Sequence, residues 1–458
     1  MNHRYLPDAA RRFYRTAASL AIAGGLLANL GGCKDSTSNP PTPTGLNKIN
    51  HVVVIYLENH SFDNLYGEFA GAEGLSNATA ANTTQIDANG APYLYLPQSD
   101  TVNFPANLPN KPFNIDQYVP AGQKTRDLVH RFYQEQMQID GGRMDKFAQL
   151  SDAKGLSMGY YHTAQFPLAT EAQRYTLCDH FFHGAFGGSF LNHIWLIAAA
   201  PPVFPNAPSS VVAKLDSSGK LVTDGFVTPD GYAVNTSFTV NAPHPSNVAA
   251  ANLVPNQTIP TIGDRLTAAG VSWAWYSGGW TAALAGNPDP TFQFHHQPFA
   301  YFANYADGTQ AKADHLKDES EFITAAKNGT LPAVCWVKPI GIENEHPGYA
   351  DVVTGEGHVD SLINVIRSGP NWKDCAIIIT YDENGGFWDH VAPPVVDKWG
   401  PGSRVPTIII SPFAKVGYVD KTTYETTSIL AFIEKRWNLP PLGTRDAAAV
   451  PMLNAFSF

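Results

Sequence analysis

The sequence predicts an α/β protein with a mostly parallel central sheet, helices on both of its faces and a β-rich insertion. Five apolar runs are candidate strands: 51–57, 271–276, 332–337, 375–381 and 405–410. Helical patterns lie between and around them, at 125–137, 143–150, 168–176, 190–199, 260–268, 315–327, 357–368 and 424–437. Strands that alternate with helices are typical of βαβ units. The 458-residue chain can bury a sizeable core, as one large domain or two.

The first candidate strand, "HVVVIYL" at 51–57, ends in two polar residues, Glu58 and Asn59. Its run from Val52 to Ile55 has no polar alternation, as expected of a strand that is covered on both faces. Ligands of open α/β sheets bind beyond the carboxyl ends of the strands. Glu58 and Asn59 are therefore either ligand-binding groups or loop residues that satisfy the backbone, and a second strand has to decide.

That second strand is "CAIIITY" at 375–381, which is followed by Asp382, Glu383 and two glycines. Paired carboxylates directly after a fully apolar strand are poorly explained as surface salt bridges. Two strands of one sheet would bring Glu58, Asn59, Asp382 and Glu383 to the same edge. Their oxygen atoms suit one divalent metal ion, although oxygen ligands alone do not rank calcium, magnesium, manganese, iron and zinc.

A candidate nucleophile lies in "HGAFGGSFLNHIWLIAAA", where Ser189 follows two glycines and begins a predicted helix. A hydroxyl at a helix N-terminus faces unpaired backbone N–H groups and the positive end of the helix dipole, which bind phosphate and favour an alkoxide. From this segment alone, a helix cap is the commoner role for such a serine. The predicted cation favours the functional role, because a cation activates a hydroxyl and neutralises phosphoryl charge.

The fifteen histidines supply the third group of candidates. Four are predicted to bind phosphate oxygens or to protonate a leaving alkoxide: His130, His295, His296 and His346. His130 is expected early in the helix over 125–137, and the other three lie in turn-rich segments. His193 and His390 are predicted to be structural, paired with Asp389 or with the backbone.

Two long segments lack strong strand or helix patterns. Residues 70–122 are irregular, and residues 200–257, rich in Pro, Ser, Asn, Val and Thr, are predicted to form a β-rich insertion or lid. The formal charge is −10, and no basic stripe occurs. Nucleic acid is therefore not an expected partner.

The N-terminal segment has the pattern of an export signal. Four arginines precede "LAIAGGLLANLGGC", which is too short to span a membrane and ends in a sequence that resembles a lipobox at Cys33. We predict a lipoprotein export signal over 1–33 and a Pro/Ser/Thr-rich tether over 34–45, both dispensable for folding.

The exported protein would be periplasmic, tethered to a membrane through lipidated Cys33, or secreted; an ordinary signal peptide is the alternative to the lipoprotein signal. Of the remaining cysteines, Cys178, Cys335 and Cys375, an exported protein could pair two.

Six motifs together resemble one family: "ENHSFDN", "GGSFLNH", "HHQPF", "NEHPG", "TYDENGGFWDHV" and "RVPTIIISPFAKVGYV". They span about residues 48–437 and resemble the bacterial phosphoesterase family, which includes acid phosphatase A and phospholipase C. The resemblance implies an alkaline-phosphatase-like α/β/α sandwich over 46–458. It also implies that Ser189 is transiently phosphorylated and binds the metal, with Glu58, Asn59, Asp382 and Glu383 as the other ligands. The four candidate histidines would then bind phosphate or act as acid and base.

Within that family, phospholipases often carry threonine at the nucleophile position in a motif resembling "GPT-x-PN". Here Ser189 stands in "GGSFLNH", and "FHHQPF" also resembles the acid phosphatase branch. We therefore expect a metal-dependent acid phosphatase that hydrolyses phosphate monoesters through a phosphoserine. The alternatives are a phospholipase C that acts on phospholipid and, from another class, a surface binding protein without turnover. The oligomeric state is not predicted.

Overall fold

Eight strands form the central sheet of this computed structural model, which describes residues 45–458. In chain order they are β1 (His51–Leu57), β2 (Thr176–Cys178), β3 (Trp273–Ser277), β4 (Leu316–Asp318), β5 (Val334–Lys338), β6 (Cys375–Tyr381), β7 (Thr407–Ile410) and β8 (Tyr418–Asp420). Their order across the sheet is β8–β2–β7–β6–β1–β5–β3–β4. Only β7 runs antiparallel to its neighbours in this sheet. The predicted α/β class with a mostly parallel sheet is confirmed.

Helices cover both faces of the sheet, which explains why β1 and β6 are apolar throughout. The helices are α1 (Phe62–Tyr66), α2 (Ala80–Thr83), α3 (Phe132–Ile139), α4 (Phe147–Leu150), α5 (Pro167–Arg174), α6 (Ser189–Ala198), α7 (Ile262–Ala268), α8 (Trp280–Leu284), α9 (Gln310–His315), α10 (Glu319–Asn328), α11 (Val352–Ser368), α12 (Thr426–Trp437) and α13 (Thr444–Ala448). On one face Tyr276 of β3 packs against Phe322 of α10, with ring centroids 5.4 Å apart. On the other face Trp275 lies 6.1 Å from the ring of His193 in α6.

Five strands occur where the sequence predicts them, and two of these, β1 and β6, have the predicted bounds. The sequence analysis misses β2, β4 and β8, which have three residues each. A run of three residues is too short to show a period of two.

The helix predicted over 125–137 is displaced, because α3 spans Phe132–Ile139 and His130 precedes it. Side chains from other segments bind the backbone N–H groups that a longer helix would use: Asp152 accepts from Val129 and Asn235 accepts from Phe132. Tertiary hydrogen bonds therefore override the local helical pattern here. His130 is held in an extended segment rather than in a helix.

The segment 200–257 contains one antiparallel strand pair, Lys214–Leu215 with Leu221–Thr223, several isolated bridges and the short 3₁₀ turn Ala250–Asn252. Residues 70–122 are irregular, as predicted, with the short helix α2 and a few turns. No helix within residues 45–458 is both long enough and apolar enough to cross a membrane.

Cys178, Cys335 and Cys375 are buried free thiols. The disulfide that the sequence allows between two of them is therefore not formed in this structure. Burial raises the pKa of all three thiols. The export signal over 1–33, Cys33 and the tether over 34–45, apart from Gly45, lie outside the described residues and stay predictions.

Candidate active site

The three adjacent strands β6, β1 and β5 bring charged and polar side chains to one edge of the sheet. Glu58 and Asn59 follow β1, Asp382 and Glu383 follow β6, and Lys338 is the last residue of β5. All five residues are completely buried. The parallel arrangement makes this convergence a direct consequence of where each apolar run ends.

Glu58 is the most contacted of these groups. Its Oε2 accepts a hydrogen bond of 3.0 Å from the Ser189 hydroxyl, and its Oε1 lies 2.8 Å from Nε2 of His296. Lys338 forms an ion pair with the same Oε1. Burial alone would raise the pKa of Glu58, but the charge of Lys338, followed by that of His296, holds this pKa well below its usual range.

The loop after β6 leaves several carboxylate oxygens without partners. Asp382 Oδ1 accepts from the backbone N–H groups of Asn59, at 3.1 Å, and Glu383, at 2.8 Å. Asp382 Oδ2, Glu383 Oε1 and Asn59 Oδ1 are buried and have no hydrogen-bond partner within the described residues. Burial, followed by neighbouring carboxylates, raises the pKa of Asp382 and of Glu383 well above the usual value.

Such buried oxygens are costly unless a cation compensates them. The donor set therefore fits a divalent metal ion. Within the described residues, Glu58 groups with nitrogens of His193 and His296, and these three ligand atoms lie within 4.8 Å of one another; Asp382 and Glu383 are not part of this group. Imidazole nitrogens suit transition metals, whereas a site of carboxylate and amide oxygens alone suits calcium, magnesium or manganese.

Close contact between the two ligand loops depends on Gly385. Its φ is +59°, and a Cβ there would lie 2.1 Å from the carbonyl oxygen of Asn59. Asn59 itself has a φ of 65°, a left-handed conformation that asparagine tolerates better than most residues. Only glycine at 385 lets the loop after β6 approach the loop after β1 this closely.

Ser189 is the first residue of α6, and its N-cap residue is Gly188. The Ser189 hydroxyl is directed to Glu58 and does not cap the helix. The alternative that Ser189 is only a cap is therefore not what the structure shows. The hydroxyl lies where the helix N-terminus and the buried carboxylates meet.

His193 lies inside the candidate site, which the sequence analysis did not expect. It does bond to the backbone, through Nδ1 at 2.7 Å from the Ser189 carbonyl oxygen. Its ring also stacks on His296, with centroids 5.0 Å apart, and Nδ1 is 3.8 Å from Asp382 Oδ2. Burial lowers the pKa of His193 well below its usual value. The spacing of four residues from Ser189, which places both on one helix face, was the available signal.

The four predicted histidines surround this edge. His130 Nε2 is 3.2 Å from Asn59 Nδ2 and 3.7 Å from Glu383 Oε1. His346 Nε2 is 4.0 Å from Glu58 Oε2, and the ring of buried His295 lies 4.8 Å from that of His296. His130 is half-buried and lines an open cleft of about 720 Å³ together with Gly188 and Thr236. It is therefore the histidine of this set placed at the entrance.

His390 belongs to a separate buried network. Its Nδ1 lies 2.6 Å from Asp63 Oδ2, while Asp389 accepts a hydrogen bond of 2.8 Å from Arg404. The predicted structural role fits this arrangement, but the direct partner is Asp63 rather than Asp389. Arg404 supplies the positive charge for both carboxylates.

Lys338 was not identified from the sequence, although a lysine at the end of the apolar run "PAVCWVK" repeats the pattern of Glu58 and Asp382. In excess chelator, Lys338→Met is expected to lower the free energy of unfolding by about 3–5 kcal/mol, because it leaves Glu58 buried without its partner. Denaturant unfolding measures this. The matched control is Lys398→Met, which breaks an exposed pair with Asp230 and should cost under about 1 kcal/mol. Equal losses would contradict the assigned pairing.

Two further carboxyl groups are buried, Glu345, which directly precedes His346 in the chain, and Glu356. The Tyr381 hydroxyl donates to Glu345 Oε2 at 2.7 Å, and Glu356 accepts from the Leu168 N–H at 2.7 Å. Burial raises the pKa of Glu356 from 4.5 to about 8. Folding therefore favours the neutral acid, whose stabilising contribution is full below pH 4.5 and is lost as the pH rises towards 8.

Glu356→Gln, which keeps the neutral form at every pH, should consequently lose less stability than the wild type between pH 5 and pH 8. Unfolding midpoints in denaturant across this range measure the difference. Glu321→Gln is the matched control, because glutamine preserves its capping box on α10 and the side chain is exposed. If Glu356→Gln and the wild type lose stability in parallel, Glu356 is charged in the folded protein.

Comparison with known proteins assigns the chain to a family. The chain matches the model of the Phosphoesterase family over residues 49–440, and it belongs to that family. It is a hydrolase that acts on phosphoric ester bonds.

Its curated relatives are named as phospholipases C. "Phospholipase C A" of Mycobacterium tuberculosis (strain ATCC 25618 / H37Rv) is 26% identical over 460 residues, which cover 91% of this chain and 79% of that protein. "Non-hemolytic phospholipase C" of Burkholderia pseudomallei (strain K96243) is 27% identical, with 93% of this chain and 61% of that protein covered. A solved structure of a protein in the alkaline phosphatase superfamily from Vibrio parahaemolyticus has a TM-score of 0.35 and 10% identity, with 72% of each chain covered.

Proposed function

We propose that this protein is a metal-dependent phosphatase that hydrolyses phosphate monoesters through a phosphoserine at Ser189. The observation that supports this most directly is the Ser189 hydroxyl, held 3.0 Å from Glu58 at the start of α6 and beside buried oxygens that lack partners. A serine nucleophile divides one difficult displacement into two easier ones.

Glu58, Asn59, Asp382 and Glu383 would hold the cation, with Ser189 as a further ligand. When bound, the ion would polarise a phosphoryl oxygen and neutralise developing negative charge. The Ser189 hydroxyl passes its proton to Glu58 Oε2, to which it donates a hydrogen bond, while its oxygen attacks phosphorus and the ester oxygen leaves on the opposite side. Water then attacks the phosphoserine at phosphorus, which releases phosphate and restores the Ser189 hydroxyl. The free N–H groups of the first turn of α6 bind phosphoryl oxygens.

The buried histidines His295, His296 and His346 line the side of the site next to Glu58 and orient the phosphate. His130 lies at the cleft, where the alcohol has to leave, and is the group that donates a proton to it. The three buried histidines would thus contact the phosphate at the sheet edge, and His130 would contact the alcohol at the cleft.

Phospholipase C activity is the second candidate, because the curated relatives carry that name. The two activities differ in their substrate: a monoester presents a dianionic phosphate with one alcohol, while a phospholipid is a diester with two. Ser189 in "GGSFLNH" and the segment "FHHQPF", which resemble the acid phosphatase branch of the family, favour the monoester.

A panel of three substrates tests the proposal: p-nitrophenyl phosphate, bis-p-nitrophenyl phosphate and phosphatidylcholine vesicles. We expect turnover of the monoester to exceed that of both diesters, to disappear with chelator and to return with one divalent metal. Metal analysis of the purified protein identifies the ion. Faster release of phosphocholine from vesicles would establish the phospholipase instead, and no turnover of any substrate with metal bound would leave a binding protein.

A further inference from the structure

A further cavity, apart from the cleft at His130, lies within the segment 200–257. Its volume is about 330 Å³, and no charged residue is among the described residues that line it. Six apolar side chains form most of its wall: Phe204, Val211, Phe226, Val227, Phe238 and Val248. Cavities of this size with apolar walls and few polar groups are typical of small-molecule binding sites.

This apolar pocket adjoins the cleft that contains His130. Thr236 lines both cavities, and the cleft also contains His130 and Gly188. The Arg131 guanidinium lies 5.4 Å from the ring of Phe226, where the cleft meets the pocket.

A second connection runs through aromatic rings. The ring of Phe238 packs edge-on against Phe294, with centroids 5.9 Å apart, and Phe294 directly precedes His295 in the chain. A group that is attached to a phosphate at the sheet edge and extends past His130 would therefore meet the apolar walls of this pocket.

We infer that this pocket binds the alcohol portion of the substrate, and that the preferred substrates are phosphate monoesters of an apolar alcohol. The inference rests on the proposed function for the position of the phosphate. Cavities of roughly 150 Å³ hold a benzene molecule, so about twice that volume accepts a substituted aromatic ring or one alkyl chain of medium length. Two long acyl chains exceed it, and a charged or sugar-like alcohol gains nothing from its walls.

Binding of alkylphosphonates to the metal-loaded wild-type protein tests this without turnover, because their carbon–phosphorus bond is not an ester. Calorimetry with methyl-, butyl- and hexylphosphonate should give dissociation constants that fall by up to about fourfold per methylene group. The wild type should show the same order in kcat/KM for methyl, butyl and hexyl phosphate.

Two variants assign the effect to the pocket. Val248→Trp fills it and should remove the preference for hexyl- over methylphosphonate, with methylphosphonate affinity unchanged. Phe226→Ala removes one wall at a side chain that is 41% exposed, and should reduce the preference without a folding penalty from a buried site. Val416→Trp is the matched control, because Val416 is exposed in the turn before β8, at the opposite edge of the sheet.

Equal affinity for methyl- and hexylphosphonate, or an undiminished preference in both pocket variants, would overturn the inference. Failure of the proposed function looks different: the alkylphosphonates would keep their chain-length dependence while neither methyl nor hexyl phosphate is hydrolysed. In that case the pocket remains a binding site and the catalytic proposal falls.

Discussion

Asp382→Asn is expected to reduce metal affinity by at least about 100-fold and to abolish most phosphoester hydrolysis, while the fold is retained. The amide keeps an oxygen at the position that accepts from Asn59 and Glu383, so the loop after β6 stays in place. It loses the charge and the second oxygen, which is the buried atom without a partner. Loss of a residue that only hydrogen-bonds to a metal ligand costs about 10–100-fold in metal affinity, and loss of a direct ligand should cost at least as much.

Metal content by mass spectrometry and thermal unfolding in chelator separate the two effects. Burial next to Glu58 raises the pKa of Asp382, so a neutral amide should leave the metal-free protein as stable as the wild type or more so. The matched control is Asp351→Asn at the N-cap of α11, where asparagine caps equally well and metal content should not change. Full metal content in Asp382→Asn would remove this residue from the site.

Ser189→Ala is expected to reduce turnover of phosphate monoesters by about 10⁴-fold or more, since loss of a serine nucleophile has effects up to about 10⁶-fold in another hydrolase. Affinity for phosphate should largely remain, because the first turn of α6 and the histidines are unchanged. Gly188, not Ser189, is the N-cap, so helix stability should also be retained. Single-turnover kinetics, phosphate binding and thermal unfolding measure these three properties.

The stereochemical course gives a sharper test of the same residue. Two in-line displacements retain configuration at a chiral phosphate, whereas direct attack by water inverts it. Ser411→Ala is the control for loss of a buried hydroxyl: Ser411 donates to the Cys375 carbonyl oxygen at 2.7 Å, at the opposite end of β6, and its loss should affect stability but not turnover. Inversion in the wild type, or near-normal turnover of Ser189→Ala, would exclude the phosphoserine.

The ends of the long strands were the most predictable features of this chain. Glu58 and Asp382 each follow an uninterrupted apolar run, and the geometry of a parallel sheet brings such ends together. Lys338 follows the same rule but was overlooked, because a single lysine after a strand is usually a surface residue.

The contacts that depend on long-range packing could not be predicted. His130 lies before its helix because Asp152 and Asn235, from distant segments, take up backbone N–H groups there. His193 was assigned a backbone contact, which it makes, but its stacking on His296 joins two segments whose separation in space no local pattern reveals.

The reversed direction of β7 affects how new specificities could arise. The connection from β6 to β7 leaves and re-enters the sheet at the catalytic edge, because the two strands are antiparallel. It carries Asp382 and Glu383 at its start and Arg404 near its end, and both ends are fixed by buried ion pairs or hydrogen bonds. Residues 392–396 between them are mostly exposed, whereas Asp397 pairs with Arg445 and Trp399 packs against Phe132. We therefore expect that the length and composition of 392–396 can be changed without a shift in strand register, which makes this short stretch a place to graft loops onto the phosphoesterase scaffold.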